Sequence, residues 1–467
     1  MMRRENILIV SYHYPPALSG VRRMVKFAKF LPHFGYDPIV LSATPDPCQP
    51  LDPETLREVE REGYPIYRTP AFDINHLRGA LRSVPENIRD VSTVLSTYLN
   101  ELSDSPEETG ASHANPSRRC RARNGMSHRI AKAIGSWIRP WLYLPDDCVG
   151  WVPFARAQAE RILSSRPIRY VLTTSYPNST HLIGLWLKRH YKVYWIADFR
   201  DGWTTNPYFA DYPTPLHRRL NVAWERKVVR ESDLILTVSS PIAEHLRSLT
   251  DSPDKVHVIP NGYDPDDFDA APPGRFERFT IVYTGTLFKQ RSPEPFFAAM
   301  RALFDKYPHI RKEFSALFLT QWQPEHVELI EKYGLRGNVR NGGLCPYRVA
   351  LSFQRTANAL LVIEGPAAYG EVMLTQKVFE YLACGKPILA ITPENALAKL
   401  IRESGAGCVV SPDDIPTLTQ YLYDLFMGTF PFSPRQDYIS QFHRREQART
   451  LAGLMDQLRT TGTLSTH

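Results

Sequence analysis

The sequence contains few cysteines and no long apolar segment. Its six cysteines, among 467 residues, form no CxxC pair and no other metal-ligand spacing. This pattern argues against a disulfide framework or a zinc site and predicts a reducing, cytoplasmic environment. No run of about 18 apolar residues occurs, so we expect no membrane-spanning helix. In the opening MMRRENILIVSYHYPP, the run ILIV is too short for a signal peptide and predicts the first strand of a fold.

Several common active-site motifs are also missing. The chain has no GxGxxG after its first predicted strand, no GxxxxGK[ST], no GxSxG and no HExxH. These absences remove support for a dinucleotide oxidoreductase, a P-loop enzyme, an α/β-hydrolase and a zinc protease. The acidic run DPDDFD at 264–269 falls in a predicted linker, and we predict no metal site in the chain.

The overall composition is that of a globular protein with an excess of positive charge. Apolar residues make up 43% and charged residues 22% of the chain, and the formal net charge is +7. A chain of this length exceeds one typical hydrophobic core, which favours two large domains. The positive charge favours an anionic partner, such as a nucleotide, a phospholipid surface or nucleic acid.

Apolar strands alternate with segments of helical periodicity along most of the chain. This alternation predicts α/β domains with parallel sheets, in which ligands bind at the carboxyl ends of the strands. The acidic, proline-rich stretch at 263–275 divides the pattern into two series. We therefore predict an N-terminal domain at 1–262, a linker at 263–275, a C-terminal domain at 276–430, and a helical tail at 431–467 that packs back on the N-terminal domain.

Two segments interrupt the first series. Residues 101–127 are rich in Ser, Pro, Gly and charge, which predicts a disordered surface insertion. The following HRIAKAIGSWIRPWLYLP combines Trp137 and Trp141 with basic residues. Such a segment suits an anionic membrane surface, but it also suits an ordinary helix packed on the domain with its charges in water.

Two strand ends of the first domain carry candidate site residues. Gly20 lies where the first strand gives way to a helix, and a helix N-terminus beside a glycine is suited to binding a diphosphate; the alternative is that Gly20 only forms the turn. Asp198, Arg200 and Asp201 directly follow the strand in WIADFRDGW. They suit hydroxyl binding or proton transfer, or else an internal Arg200–Asp pair that orders the loop. We expect His181, in an apolar helix, to be structural.

The second domain offers cations and one unusual glutamate. Gly285, Lys289 and Arg291 follow its first strand in YTGTLFKQRSP, a grouping suited to a diphosphate. The alternative is a solvated basic loop. In TQKVFEYLACGKPILAIT, we predict a short helix with Thr375 as N-cap and Gly385 at its end.

Lys377 and Glu380 lie on one face of that short helix, and we expect this face to point towards the cleft. The two oxygens of a fixed carboxylate match the 2′ and 3′ hydroxyls of a ribose. A surface Lys377–Glu380 pair is the alternative to this binding role.

Together these motifs resemble the family 4 glycosyltransferases, which are retaining enzymes of GT-B fold, with two Rossmann-like domains facing across a cleft. FEYLACGKP is similar to the family's glutamate-containing helix, and VIPNGYDPDDF to the element before the family's linker. YPPALSGVRR and YTGTLFKQR add support, and DFRDGW resembles a subgroup that makes bacterial surface polysaccharides. The resemblance covers nearly the whole chain except 101–127.

The resemblance implies a donor site for a nucleotide sugar. By this resemblance, Glu380 binds the ribose hydroxyls, and Lys289 and Arg291 bind the diphosphate. Gly20 allows the backbone to approach the same phosphates closely. The family's E-x7-E pattern would require a glutamate where Val372 stands; Glu371, one residue away, is the candidate. The resemblance further implies a lipid-linked or oligosaccharide acceptor, peripheral contact with an anionic membrane, no cofactor, no required metal and no nucleic-acid partner.

Two departures leave other functions open. The displaced glutamate, and Ser175 where many family members have a histidine, are compatible with a non-catalytic protein that binds nucleotide sugars. A sugar-nucleotide epimerase or a phosphorylase on the same two-domain scaffold is the other alternative, although we identify no dedicated phosphate or cofactor site for a phosphorylase.

Overall fold

The computed structural model describes residues 4–17, 20–45, 51–71, 144–206, 212–287, 291–365 and 374–461. The predicted insertion at 101–127 and the segment with Trp137 and Trp141 lie outside these ranges. The four cysteines within them have free thiols. Among the described helices, none has the length and apolar character needed to cross a bilayer.

The first domain is built on a parallel sheet of seven strands in the order β3-β2-β1-β4-β5-β6-β7. The strands are β1 (Glu5–Val10), β2 (Tyr36–Ala43), β3 (Ile66–Thr69), β4 (Ile168–Ser175), β5 (Tyr194–Phe199), β6 (Leu234–Thr237) and β7 (Val256–Val258). Successive residues of a strand point to opposite faces, and accordingly Ile7 and Ile9 enter one hydrophobic core while Leu8 and Val10 enter the other. Both faces of the sheet are therefore buried beneath helices.

Six of the described α-helices accompany this sheet. They are α1 (Arg22–Phe30), α2 (Pro53–Glu62), α3 (Val152–Ser165), α4 (Thr180–His190), α5 (Pro215–Glu231) and α6 (Ser240–Ser248). Each helix follows a strand in the chain, as the right-handed crossovers of a parallel sheet require.

The second domain has a parallel sheet of six strands in the order β10-β9-β8-β11-β12-β13. The strands are β8 (Phe279–Thr284), β9 (Phe314–Leu319), β10 (Val339–Asn341), β11 (Ala359–Ile363), β12 (Ile388–Ile391) and β13 (Gly407–Val410). The other α-helices among the described residues are α7 (Pro265–Asp269), α8 (Glu294–Lys306), α9 (Pro324–Lys332), α10 (Tyr347–Thr356), α11 (Gln376–Cys384), α12 (Ala396–Ser404), α13 (Ile415–Met427), α14 (Gln436–Ser440) and α15 (Arg444–Thr461). The expected pair of parallel α/β domains is confirmed.

The chain crosses between the domains twice, and the two crossings are bonded to each other. The Tyr263 amide donates to the Phe442 carbonyl at 3.0 Å, and the Arg444 amide donates to the Tyr263 carbonyl at 2.9 Å. A Cβ at Gly262 would lie 2.0 Å from the Phe442 oxygen, so only glycine fits there. After the second crossing, α15 adds apolar residues, including Leu451 and Met455, to the core of the first domain.

The acidic run of the first crossing is anchored by two lysines of α1. The Lys26 ammonium contacts Glu58, Asp264 and Asp267 at 2.5 to 2.8 Å, and Lys29 contacts Asp264 at 2.7 Å. The carboxylates around Lys26 lie close enough together for a cation site, but the lysine ammonium lies among them. The stretch read as a linker therefore contains a short helix that is tied to the first domain.

Candidate functional site

A cavity of about 260 Å³ lies between the domains. Gly20, Arg200 and Asp201 line it from the first domain, while Thr375 and Gln376 line it from the second. These residues follow β1 and β5 or lie at the start of α11. The structure therefore brings residues of both domains to one cavity, named here the interdomain cavity.

Gly20 and Arg200 form one wall of the interdomain cavity. Gly20 has a positive φ of 73°, and its carbonyl oxygen accepts a hydrogen bond from Arg200 Nη1. A Cβ at this position would lie 3.3 Å from the guanidinium. The glycine therefore permits close approach of the arginine as well as forming the turn.

Arg200 reaches three partners in this wall. Its Nη2 donates to the Tyr176 carbonyl at 3.2 Å, and its Nε lies 3.7 Å from the Asp201 carboxylate. Burial raises the pKa of Asp201, and Arg200 opposes that rise. The internal Arg200–Asp201 pair considered above is present, and both side chains still line the cavity.

Asp198 lies behind this wall. Arg23 donates to its carboxylate through Nε at 3.0 Å and Nη2 at 2.9 Å, and Thr174 Oγ1 donates at 2.8 Å. Asp198 is fully buried and Arg23 is only 2% exposed. Asp198 therefore orients Arg23, which itself lines the cavity, and contributes no surface to the cavity.

His13 is a further first-domain residue near Arg200. Burial, together with the Arg200 charge, lowers its pKa to about 4, while Asp147 opposes the shift. The imidazole is therefore neutral at physiological pH. The sequence analysis did not single out His13, because its HYPP context indicates only a turn.

A second cavity, of about 370 Å³, lies at the carboxyl ends of β11, β12 and β13 and is named here the strand-end cavity. Ile363, Glu364, Ile391, Pro393 and Ser411 contribute to its lining. Apolar walls with a few polar groups are typical of small-molecule sites. The location agrees with the rule that parallel sheets bind ligands at the carboxyl ends of their strands.

Arg291 is connected to the strand-end cavity by its ion pair with Glu364, which lines that cavity. Its Nε and Nη2 donate to the two carboxylate oxygens of Glu364 at 2.8 and 3.0 Å. Glu364 is 3% exposed and directly follows β11. Glu364 was not among the predicted site residues, although it has the same sequence signal as Asp198, a charge immediately after an apolar strand. Lys289 and Glu371 lie outside the described residues.

Lys377 and Glu380 lie on α11, but they do not pair with each other. Lys377 Nζ donates to the Tyr283 hydroxyl at 2.9 Å and lies next to Gly285, whose φ is 105°. Glu380 is 6% exposed and accepts a hydrogen bond from Gln354 at 3.4 Å. The alternative of a surface Lys377–Glu380 pair is therefore wrong. Burial raises the pKa of Glu380.

The start of α11 is connected to both chain crossings. Gln376 donates to the Gly262 carbonyl at 2.7 Å and accepts from Arg444 at 2.7 Å. Thr375 precedes the helix as expected, but its side chain makes no capping hydrogen bond. Its buried hydroxyl oxygen has no described partner. The helix that carries Glu380 is therefore tied to the connection between the domains.

His181 is enclosed as a structural residue. Its Nδ1 lies 2.8 Å from Thr173 Oγ1, and its ring stacks on Phe199. Burial lowers its pKa to about 3. The folded protein therefore keeps the His181 imidazole neutral at physiological pH.

Comparisons with known proteins agree with this architecture. The family model described as Glycosyltransferase Family 4 matches residues 116–267, about a third of the chain. No curated protein sequence gives a match.

Three solved structures resemble the chain over nearly its full length. Sucrose-phosphate synthase from Thermosynechococcus elongatus has a TM-score of 0.57 and 14% identity, with 98% of this chain and 100% of that chain covered. HepE of Anabaena, solved in complex with UDP, has a TM-score of 0.57 and 11% identity, with coverage of 97% and 100%. A Listeria monocytogenes protein described as a UDP-N-acetylglucosamine 2-epimerase has a TM-score of 0.52 and 12% identity, with coverage of 99% and 99%. The two parallel sheets and these similarities define the fold as GT-B.

Proposed function

We propose that this protein is a retaining glycosyltransferase of the hexosyltransferase type. It would move a sugar from a nucleotide diphosphate sugar to a lipid-linked or oligosaccharide acceptor during cell-surface polysaccharide synthesis. The observation that carries the proposal is the placement of Arg291, Lys377 and Glu380 at strand ends of the second domain, next to a cavity lined by Arg200 of the first. The partial match to Glycosyltransferase Family 4 supports the class, and the HepE complexes with UDP and UDP-glucose support this type of donor.

The two cavities suit different parts of such a donor. The strand-end cavity, with its Ile and Pro side chains, would take the nucleoside, and the interdomain cavity the sugar. The diphosphate would then lie between them, next to Arg291 and Lys377. Glu380 would bind the ribose hydroxyls after exchanging its bond to Gln354, and Gly20 would let the backbone approach the phosphates.

The proposed reaction is a front-side displacement with retention. The bond from the sugar C1 to the phosphate oxygen breaks as the bond from C1 to the acceptor oxygen forms. The acceptor hydroxyl proton passes to the departing phosphate oxygen. The protein's part is to stabilise the charge that develops on the diphosphate and to hold both substrates in line. The arginine and lysine cations would provide this stabilisation without a metal or cofactor.

Among the first-domain residues, we assign cleft contacts to Arg200 and Asp201. Asp198 acts through Arg23, because its oxygens are already occupied by Arg23 and Thr174. Asp198 is therefore a positioning residue in this proposal.

The experiment is a turnover assay with a panel of nucleotide sugars and lipid-linked acceptors, monitored by release of nucleoside diphosphate. We expect acceptor-dependent release with one donor, and at least about 10-fold less with Arg291→Met, because that variant leaves the Glu364 carboxylate unpaired next to the phosphates. Lys399→Met, at an exposed lysine of α12, is the matched control and should match the wild type. No release with any donor and acceptor pair would contradict the proposal.

The same assay separates the alternatives. An epimerase would release free sugar without an acceptor, whereas a non-catalytic protein would bind a donor and release nothing. A phosphorylase would depend on inorganic phosphate. The Listeria protein resembles this chain only in fold. The products of the assay therefore distinguish between these functions.

We also propose that the protein acts in the cytoplasm, at the inner face of an anionic membrane. Support comes from α5, whose exposed arginines Arg219, Arg226 and Arg230 share a face with Leu216, which is 50% exposed. Basic and apolar side chains on one helix face suit anionic lipid. Arg226→Glu with Arg230→Glu should abolish flotation with phosphatidylglycerol vesicles, whereas Arg336→Glu on the second domain should not; equal flotation of the first variant would contradict this placement.

A further inference from the structure

Lys377 adjoins residues of both cavities, and within the described part of the chain its hydrogen-bond partner is Tyr283. Its neighbour Gln376 lines the interdomain cavity, and the Arg291–Glu364 pair reaches the strand-end cavity. Lys377 Nζ donates to the Tyr283 hydroxyl at 2.9 Å and lies 4.1 Å above the centre of the Tyr283 ring. With the donor placed as proposed above, its diphosphate would lie close to this ammonium group.

Arg291 and Lys377 differ in whether a carboxylate neutralises their charge. Arg291 donates through Nε and Nη2 to the two carboxylate oxygens of Glu364. The arginine therefore already has a counter-ion. Among the described residues, Lys377 has no carboxylate oxygen within 4.0 Å, the limit for a salt bridge. Glu380 lies one turn further along α11 and is hydrogen-bonded to Gln354. Within the part of the chain that the structure describes, the Lys377 ammonium group therefore has no direct counter-ion.

This environment opposes the charged form of Lys377. Burial and the neighbouring Arg291 charge lower the pKa of Lys377 to about 7, while Glu364 and Glu380 act in the opposite direction. The Tyr283 phenol stays neutral, because burial raises its pKa further above the ordinary value. In the ligand-free protein, Lys377 therefore changes charge near neutral pH.

We propose that Lys377 takes up a proton when the donor diphosphate binds, and that it, rather than the Glu364-paired Arg291, supplies the uncompensated positive charge of the donor site. This inference rests on the proposed function, because it requires a nucleotide diphosphate ligand. The diphosphate provides the missing counter-ion, and an adjacent negative charge favours the protonated amine. Donor affinity is then linked to pH through one residue.

The linkage has a definite size and sign. With a pKa of about 7 in the free protein, about nine-tenths of Lys377 is neutral at pH 8. If binding restores a pKa near 10, about 0.9 proton is taken up per ligand at pH 8. Affinity for the diphosphate should then fall between pH 7 and pH 8.5 by about 15-fold, because the proton becomes scarcer.

The experiment is calorimetric titration of UDP, with GDP and ADP in parallel, at pH 8 in buffers of different ionisation enthalpy. The slope of binding enthalpy against buffer enthalpy gives the number of protons taken up. At this pH the terminal phosphate of the free nucleotide is already ionised, since its pKa is near 6. We expect about 0.9 proton for the wild type and for Lys399→Met, the exposed control.

Two variants distinguish this role from simple packing. Lys377→Arg keeps a permanent charge, so it should bind the nucleotide with less than about 0.2 proton taken up. Lys377→Met should bind at least about 10-fold more weakly at pH 7. Wild-type binding with no proton uptake, or an unchanged uptake in Lys377→Arg, would overturn the inference while leaving the proposed function intact. Failure of all three nucleotides to bind the wild type would overturn both.

Discussion

Asp198→Asn tests whether the first charged residue after β5 is structural or catalytic. The substitution removes the negative charge but keeps the size of the side chain. Arg23, which is 2% exposed and donates twice to the Asp198 carboxylate, would keep its positive charge in a buried position. Removing one member of a buried ion pair costs about 3–5 kcal/mol, because the other charge stays buried and unpaired.

This cost should appear in the unfolding of the first domain. For a domain of this size it corresponds to a decrease of about 10 °C in Tm. Intrinsic fluorescence reports mainly on the first domain, because Trp151, Trp195 and Trp203 are buried there. The control is Asp37→Asn, since Asp37 pairs with Arg4 at the surface, and it should change stability by less than about 1 kcal/mol.

A second variant separates charge from packing. Arg23→Met with Asp198→Leu removes both members of the pair, and such replacements are often neutral in stability. We expect this double variant to unfold at a higher temperature than Asp198→Asn. Wild-type stability in Asp198→Asn, together with a loss of turnover, would refute the structural assignment and make Asp198 a catalytic candidate.

Three further substitutions test the connection between the domains, the anchored crossing and the buried histidine. Gly262→Ala should lower the unfolding midpoint by the equivalent of about 3 kcal/mol or more, since its Cβ would lie 2.0 Å from the Phe442 oxygen; a wild-type midpoint would contradict this packing. Lys26→Met should destabilise the protein by about 2–4 kcal/mol, and millimolar Ca²⁺ should restore part of the loss, because three carboxylates then face one another; a midpoint that Ca²⁺ leaves unchanged would argue against this arrangement. The pKa of His181 is about 3 in the folded protein, below its unfolded value of about 6.5, so the stability it contributes is complete above pH 6.5 and decreases as the pH falls. Between pH 7 and pH 5 this loss is about 2 kcal/mol; His181→Leu should lack it, and identical pH profiles by urea denaturation would contradict the burial.

Local sequence patterns predicted the architecture because both domains repeat one supersecondary unit. The short helix before PILAIT is an example: α11 spans Gln376–Cys384, and Gly385 follows in the left-handed region with φ of 62°. The expected face of that helix was only partly right. Glu380, expected to point towards the cleft, is only 6% exposed, and the next residue, Tyr381, is buried with its hydroxyl accepting from the Thr284 amide at 2.8 Å.

The partners of the candidate residues could not be predicted, because they are distant in the chain. Arg23 and Asp198 are separated by 175 residues, and Lys26 and Asp267 by 241. A buried charge and a cleft charge give the same signal in one sequence, namely a polar residue after an apolar strand. Only the folded chain shows that Asp198 is enclosed while Arg200 and Asp201 line a cavity.

The central claim is that a nucleotide diphosphate binds the second domain at the site of Arg291 and Lys377. The most direct measurement is calorimetric titration of UDP, GDP and ADP into the wild type, Arg291→Met and the exposed control Arg336→Met. We predict binding of one nucleotide per protein, at least about 10-fold weaker binding by Arg291→Met, and no change in Arg336→Met. Equal affinity in Arg291→Met, or no binding of any nucleotide by the wild type, would contradict the account.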